Sequence, residues 1–480
     1  MSAPPTDSTS NAPRPIRLLS LDAFRGFVMI AMLVVNSSTP ASFHWQFAHR
    51  GWNAGEHGAS FCDMVFPWFL FAVGVAIPFS MGSGRGKDRS AISKLWSAFC
   101  RALVIYTLGL LITAARREQV SFFVWDILPI IAWSYFLGVA LYTLPQVIRL
   151  WVQGVFVVAV LAAKWYVLTQ MPYPGEAGVL WEQTRNMQTW IQSNWLTIRQ
   201  GPLAFVGGWP GGLTQLLPGT AVVVLGMWSA LLLRASALDP WLRGVWLLAG
   251  GAACTALAYM VEGMLSMPFS KDFFTSSYVL LSAGTGAMLL ALFYLALDAF
   301  EHRREPGRGV ARAAGLASLL WLLPLWTLLF AATNLAGGFE AMRANLPAFV
   351  AGAIGFTLIG LIAGLRAPPG ESGLFRSVGW LCAVPGRNAI ALYVGAEVLW
   401  RVVLMGWKIP FHDGTMQTML PALKGFVRDD WTLWPSLLGN VVRWPGAGQA
   451  VADWTFCIAY TLAWWKICHA LYKRGVFFKV

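Results

Sequence analysis

Apolar residues in this chain come in blocks of about 20, and that spacing leaves few choices of fold. At about 1.5 Å per helical residue, a block of that length matches the ~30 Å hydrocarbon core of a bilayer. The blocks fall near residues 18–37, 61–81, 95–115, 121–144, 147–168, 213–234, 241–261, 276–299, 313–334, 346–366, 378–404 and 451–472. Inside lipid every backbone N–H and C=O must be satisfied within its own segment, so the blocks read as helices. The expected fold is all-α, a polytopic membrane bundle of about 11–12 transmembrane helices over residues 17–480. Residues 1–16 are polar and Pro-rich and read as a disordered tail.

Composition agrees: 57% of residues are hydrophobic and 12% charged, about half the charged share of an ordinary globular domain. The net charge of +13 would suit nucleic acid, but its placement argues otherwise. Arg85, Lys87, Arg89 and Lys94, then Arg149, Arg234 and Arg243, Arg303 to Arg312, Arg366 and Arg376, and Lys473 to Lys479 all fall on one side if the spans alternate. That is the positive-inside pattern, so both termini are expected in the cytoplasm, with the lipid bilayer and not nucleic acid as the partner. Arg116 and Arg117 depart from it, which makes the fourth span the weakest. Loops 38–60, 169–212 and 406–450 then face outward. The first apolar block is followed by no small-residue cleavage site, so no cleaved signal peptide is expected. The six Cys are scattered without a CxxC, so neither a disulfide framework nor a metal site is expected.

Chemistry concentrates in the first hairpin, from Leu18 to Ser80. On the first span Asp22, Arg25 and Asn36 share one side, with Arg25 and Asn36 eleven residues and about 16 Å apart. Such a stripe faces protein or a cavity, not lipid. Interfacial pairing of Asp22 with Arg25 and a C-cap role for Asn36 are the plain alternatives. The loop FAHRGWNAGEHGASFCDM carries His49 and His57 (His44 lies just before it), and Asp63 opens the second span from the same side. A carboxylate beside an imidazole fixes its tautomer and supports general-base work; a solvated His49 and an N-cap Asp63 are the rival readings. The three His match no metal-ligand spacing. In VPGRNAIALYVGAEVLWRVV, Pro385-Gly386 breaks the chain before a helix starting with Arg387 and Asn388, a setting that suits a phosphate; a plain helix restart explains it equally well. Glu397 and Arg401 are spaced to pair.

These motifs together resemble a known family. RLLSLDAFRGFVMIAMLVVN, FAHRGWN and CDMVFPWFLFAVGVAIPFS, with SKDFFTSSYVLLSAGTGAMLLALFYLALD, VPGRNAIALYVGAEV and YKRGVFFKV, are similar to the heparan-α-glucosaminide N-acetyltransferase family and its bacterial relatives. Phe274 stands where relatives often have Trp. The resemblance implies transfer of acetyl from cytosolic acetyl-CoA, the co-substrate, to the amine of an amino sugar or glycan on the periplasmic side of a bacterial inner membrane. It implies catalytic roles for His49, Asp63 and Asn36, and donor binding by Asp22, Arg25, Arg387 and Asn388 near the cytoplasmic mouth, with no metal. His49 then acts as general base or carries the acetyl group transiently. A homodimer is compatible with this reading. The rivals are an amino-sugar transporter, for which many spans and midplane polar groups are equally apt, and an O-acyltransferase on an envelope sugar.

Overall fold

In the computed structural model the described residues are 18–37, 47, 49, 59–82, 87–117, 126–176, 178–179, 182, 185–196, 212–299, 374–410, 415–421, 423–424 and 447–478. They form helices α1 (Leu19–Ser37), α2 (Phe61–Met81), α3 (Ala91–Arg117), α4 (Ile127–Tyr142), α5 (Gln146–Thr169) and α6 (Met187–Trp195). Next come α7 (Leu216–Leu233), α8 (Pro240–Met264), α9 (Ser276–Tyr294), α10 (Leu374–Gly386), α11 (Ala389–Val398) and α12 (Ala447–Lys473). Seven long apolar helices among the described residues can each cross a membrane, and the chain is an all-α polytopic membrane protein. The expected spans at 313–334 and 346–366, and the tail at 1–16, lie outside the described residues. A small antiparallel hairpin, β1 (Lys408–Pro410) with β2 (Met416–Thr418), is the one sheet described, pairing Ile409 with Gln417.

Packing separates interior helices from lipid-facing ones. Helices α2, α7 and α9 bury most of their surface, with Phe71, Val223, Met227, Tyr278 and Leu290 in the common core. Helix α5 instead turns Val147, Trp151, Val155 and Val158 outward, an apolar stripe at helical spacing that belongs against lipid. Small residues let the interior helices touch: a Cβ added at Gly74 would stand 2.1 Å from Val223 O of α7. At the α1–α10 crossing the approach is closer still, with 1.6 Å from Gly26 to Cys382 O and 1.9 Å from Gly386 to Asp22 O.

Two elements differ from their expected limits. Helix α4 starts at Ile127, not near 121, because Asp126 caps it, its Oδ1 accepting from Ile127 N at 2.8 Å. Its 16 residues reach about 24 Å. The break near Pro385 lies two residues later than expected. Pro385 and Gly386 stay in α10, and the helix resumes at Ala389 after Arg387 and Asn388. Proline has no N–H, so the carbonyl four residues earlier loses its partner; that carbonyl, Leu381 O, accepts from Trp465 Nε1 of α12 at 2.8 Å. The sequence α9 continues as a π-turn, Leu295–Ala299, whose Asp298 carboxylate accepts from Leu19 N and Ser20 N at 3.2 and 3.0 Å, capping α1 from outside its own chain segment.

Substituting Gly26→Ala should lower stability by about 1–3 kcal/mol, since a methyl group there meets a backbone carbonyl that cannot move aside as a side chain would. A thermal melt of the purified protein in detergent checks this; an unchanged melting temperature would mean α1 and α10 do not touch at Gly26.

Candidate active site

The site grows from the first turn of α2. Ser60 is its N-cap, and with Asp63 it forms a reciprocal capping box: Ser60 Oγ accepts from Asp63 N, while Asp63 Oδ2 accepts from Ser60 N at 3.3 Å and from Ser60 Oγ at 3.0 Å. One carboxylate oxygen is thereby occupied and the other, Oδ1, is aimed elsewhere. The Asp63 side chain is 2% exposed. Its backbone is held too. Pro67 has no N–H to offer Asp63 O, and Tyr278 Oη of α9 donates to that oxygen at 2.5 Å.

Against Asp63 Oδ1 stands His49, Nδ1 at 2.7 Å. A carboxylate oxygen only accepts, so at this distance Nδ1 carries the imidazole proton and Nε2 keeps the lone pair. The His49 side chain is 58% exposed, and the Cys62 thiol packs on the ring, Sγ 3.3 Å from Nδ1 and 3.6 Å from Nε2. Phe47, two residues earlier, meets Phe61 of α2 and Trp454 of α12, with ring centroids 5.8 and 6.3 Å away, which sets Phe47 against the bundle. A buried carboxylate, an oriented imidazole and an open nitrogen form the arrangement that general-base catalysis uses.

A third group was not singled out from sequence. Lys271 Nζ lies 3.1 Å from His49 Nδ1 and 3.8 Å from Asp63 Oδ1. With Nδ1 protonated, the first distance is a close approach of charge and not a hydrogen bond. The tight loop Pro268–Thr275 holds Lys271 in place. Thr275 Oγ1 donates to Pro268 O at 2.8 Å and accepts from Ser270 N at 3.2 Å, and Thr275 also caps α9. Phe274 takes a left-handed backbone, φ 52°, and is fully buried against Phe66 and Tyr278. The available signal was a Lys-Asp pair just ahead of an apolar block; Tyr278 and Cys62 carried no comparable signal.

The other expected residues go to different places. Asn36 Nδ2 donates to Glu397 Oε1 at 3.0 Å, and Glu397 Oε2 accepts from Arg401 Nε at 2.7 Å. Asn36 therefore sits at the same end of α1 that leads to the His49 loop, but its bond is to α11. Asp22 meets Arg387: Arg387 Nε is 3.3 Å from Asp22 Oδ2, and the guanidinium lies 4.7 Å over the Tyr472 ring. Arg25 is half-buried on the same helix. Asn388 clamps the C-terminal segment, Nδ2 donating to Val476 O at 3.2 Å and Oδ1 accepting from Phe478 N at 3.0 Å. The backbone amides of Arg387 and Asn388 donate to Ala383 O and Pro385 O. His44 and His57 lie outside the described residues. Among the described residues no cluster of His, Cys, Asp and Glu is arranged for a metal.

Residues 17–260, half of the chain, match the family described as heparan-alpha-glucosaminide N-acetyltransferase, catalytic. The chain belongs to that family. Curated relatives include the heparan-alpha-glucosaminide N-acetyltransferases of Homo sapiens, 36% identical over 98 residues, and of Mus musculus, 27% identical over 183 residues. Those stretches cover 20% and 33% of this chain but 14% and 27% of the relatives. In this heparan-α-glucosaminide N-acetyltransferase family member, the matched region carries Asp22, Asn36, His49, Cys62 and Asp63, whereas Lys271 and Tyr278 lie beyond it.

Substituting Tyr278→Phe should cost about 1–3 kcal/mol, because Asp63 O is then left buried without a donor. Thermal melts of the two proteins in the same detergent measure it, and equal stabilities would show that the Tyr278 hydroxyl does not hold Asp63.

Proposed function

We propose that the protein transfers acetyl from acetyl-CoA, at the cytoplasmic face of a bacterial inner membrane, to the amine of an amino sugar on the opposite side. The observation that carries this reading is His49 held by a buried Asp63, with Nε2 left as the basic nitrogen, in a chain of this family. Positive charge gathers at the other end of the bundle, where Arg387, Lys473 and Arg474 suit the phosphates of CoA. Positive-inside placement makes that end the cytoplasmic one.

In this scheme the acceptor amine donates a hydrogen bond to His49 Nε2 and attacks the thioester carbon. Nε2 takes the proton as the N–C bond forms, and the imidazolium is steadied by Asp63 Oδ1. The C–S bond then breaks, and the CoA thiolate leaves with the proton that His49 returns. Neutral Nε2 is the form that works, and the capping box holds Asp63 still while the proton moves. Asn36, engaged with Glu397, lines the mouth on the acceptor side.

The purified protein, supplied with labelled acetyl-CoA and glucosamine, should yield N-acetylglucosamine. His49→Ala should abolish this with the melting temperature preserved, and Asp63→Asn should lower kcat by about 10²–10⁴-fold, the range that general-base catalysis contributes. Full turnover by the His49→Ala variant would remove the base, and sugar uptake into liposomes without acetyl-CoA would favour a carrier.

A further inference from the structure

General-base catalysis accounts for His49 and Asp63 but gives no task to Lys271. We propose that Lys271 is the catalytic residue that stabilises the oxyanion formed when the amine adds to the thioester, an assignment that rests on the acetyl-transfer reading above. As the amine nitrogen bonds to the carbonyl carbon, the carbonyl π pair moves onto oxygen as an alkoxide. When that pair returns, the C–S bond breaks and CoA leaves as the thiolate. Catalysis needs a donor about 2.7–3.1 Å from that oxygen, preferably a charged one in a site poor in water.

Three other donors described at this end of the bundle are already directed elsewhere. The Ser60 hydroxyl donates to Asp63 Oδ2, the Tyr278 hydroxyl to Asp63 O, and the Asn36 amide to Glu397 Oε1. Lys271 brings three N–H groups and a full positive charge to within 3.1 Å of the imidazole. Its side chain is 12% exposed, so solvent screens that charge weakly. The Asp63 oxygen nearest to it, at 3.8 Å, is already engaged by His49 at 2.7 Å. A carbonyl carbon attacked by a nitrogen resting on His49 Nε2 places its oxygen within reach of the ammonium.

A second observation lies in the backbone beside it. Phe274, three residues on, holds φ 52° although it is bulky, and Phe274 N donates to Lys271 O at 3.1 Å. A left-handed backbone is strained for a bulky non-glycine residue and persists where the surroundings over-determine it, which is common at sites whose geometry matters. Here the strained turn aims Lys271 at the imidazole, and Thr275 N donating to Ser270 O at 3.3 Å closes the turn.

The test uses the full-length protein in detergent with acetyl-CoA and two acceptors, glucosamine and hydroxylamine. Hydroxylamine is a strong nucleophile that is unprotonated at neutral pH and does not depend on a base, but its attack still creates the oxyanion. Lys271→Met should lose about 10²–10³-fold in kcat with both acceptors, with acetyl-CoA Kd and melting temperature unchanged. Lys271→Gln replaces it if the Met variant does not fold, and Lys271→Arg should recover to within about tenfold of wild type by keeping the charge. His49→Ala should recover turnover with hydroxylamine. If hydroxylamine rescues Lys271→Met as it rescues His49→Ala, Lys271 only positions the His49–Asp63 pair and the assignment is overturned; wild-type kcat in Lys271→Met overturns it as well. A wild-type protein that acetylates neither acceptor overturns the acetyl-transfer reading, and the Lys271 assignment with it.

Discussion

The buried carboxylate of Asp63 is the point on which this structure turns. A carboxylate that leaves water must find partners for its oxygens, or the cost runs to several kcal/mol. Here the partners come from three parts of the chain: Ser60 at the start of the same helix, His49 from the preceding loop, and Lys271 from the turn before α9. Satisfying one acid therefore brings His49 and the turn before α9 to the start of α2. The backbone of the same residue does likewise, since Pro67 releases Asp63 O and Tyr278 takes it.

The α2–α9 contact at Asp63 would drift without a close-packed interior beneath it. Glycines on α2 and α7 let their backbones approach within the space a single methyl group would fill, and the rings of Phe66, Phe274 and Tyr278 meet edge to face just below the site. Association within lipid depends on such close contacts, because no hydrophobic force favours one apolar helix over the surrounding tails. Rigidity at the core thus becomes precision at the imidazole.

Proline plays a similar part at both ends of the molecule. Pro67 exposes Asp63 O to Tyr278, and Pro385 exposes Leu381 O to Trp465. In each case a carbonyl orphaned inside the membrane becomes a tie between helices. The first tie steadies the end that holds His49 and Asp63, and the second steadies α10 next to the crossing at Gly26 and Gly386, where Arg387 meets Asp22.

Much of this was legible in the residues alone. Blocks of about 20 apolar residues dictate membrane helices, since lipid offers the backbone no other partner. His49 in the loop just ahead of Asp63, on the side from which that helix starts, made a meeting of imidazole and carboxylate one of the readings open from sequence, beside a solvated His49 and an N-cap Asp63. The contacts of Lys271 with His49 and of Glu397 with Asn36 were beyond such reasoning, whereas the Glu397–Arg401 pair was legible from its spacing. Each of the two long-range contacts joins residues hundreds apart, and which helix faces which is decided by interior packing of glycines and rings, not by any local pattern. For the same reason the contacts of Asp22 with Arg387 and of Asn36 with α11 could not be read from spacing. The chain by itself determined what must be helical and where charge is costly; only the packed bundle decided which charges answer one another, because that choice is made across distances in sequence over which spacing carries no information.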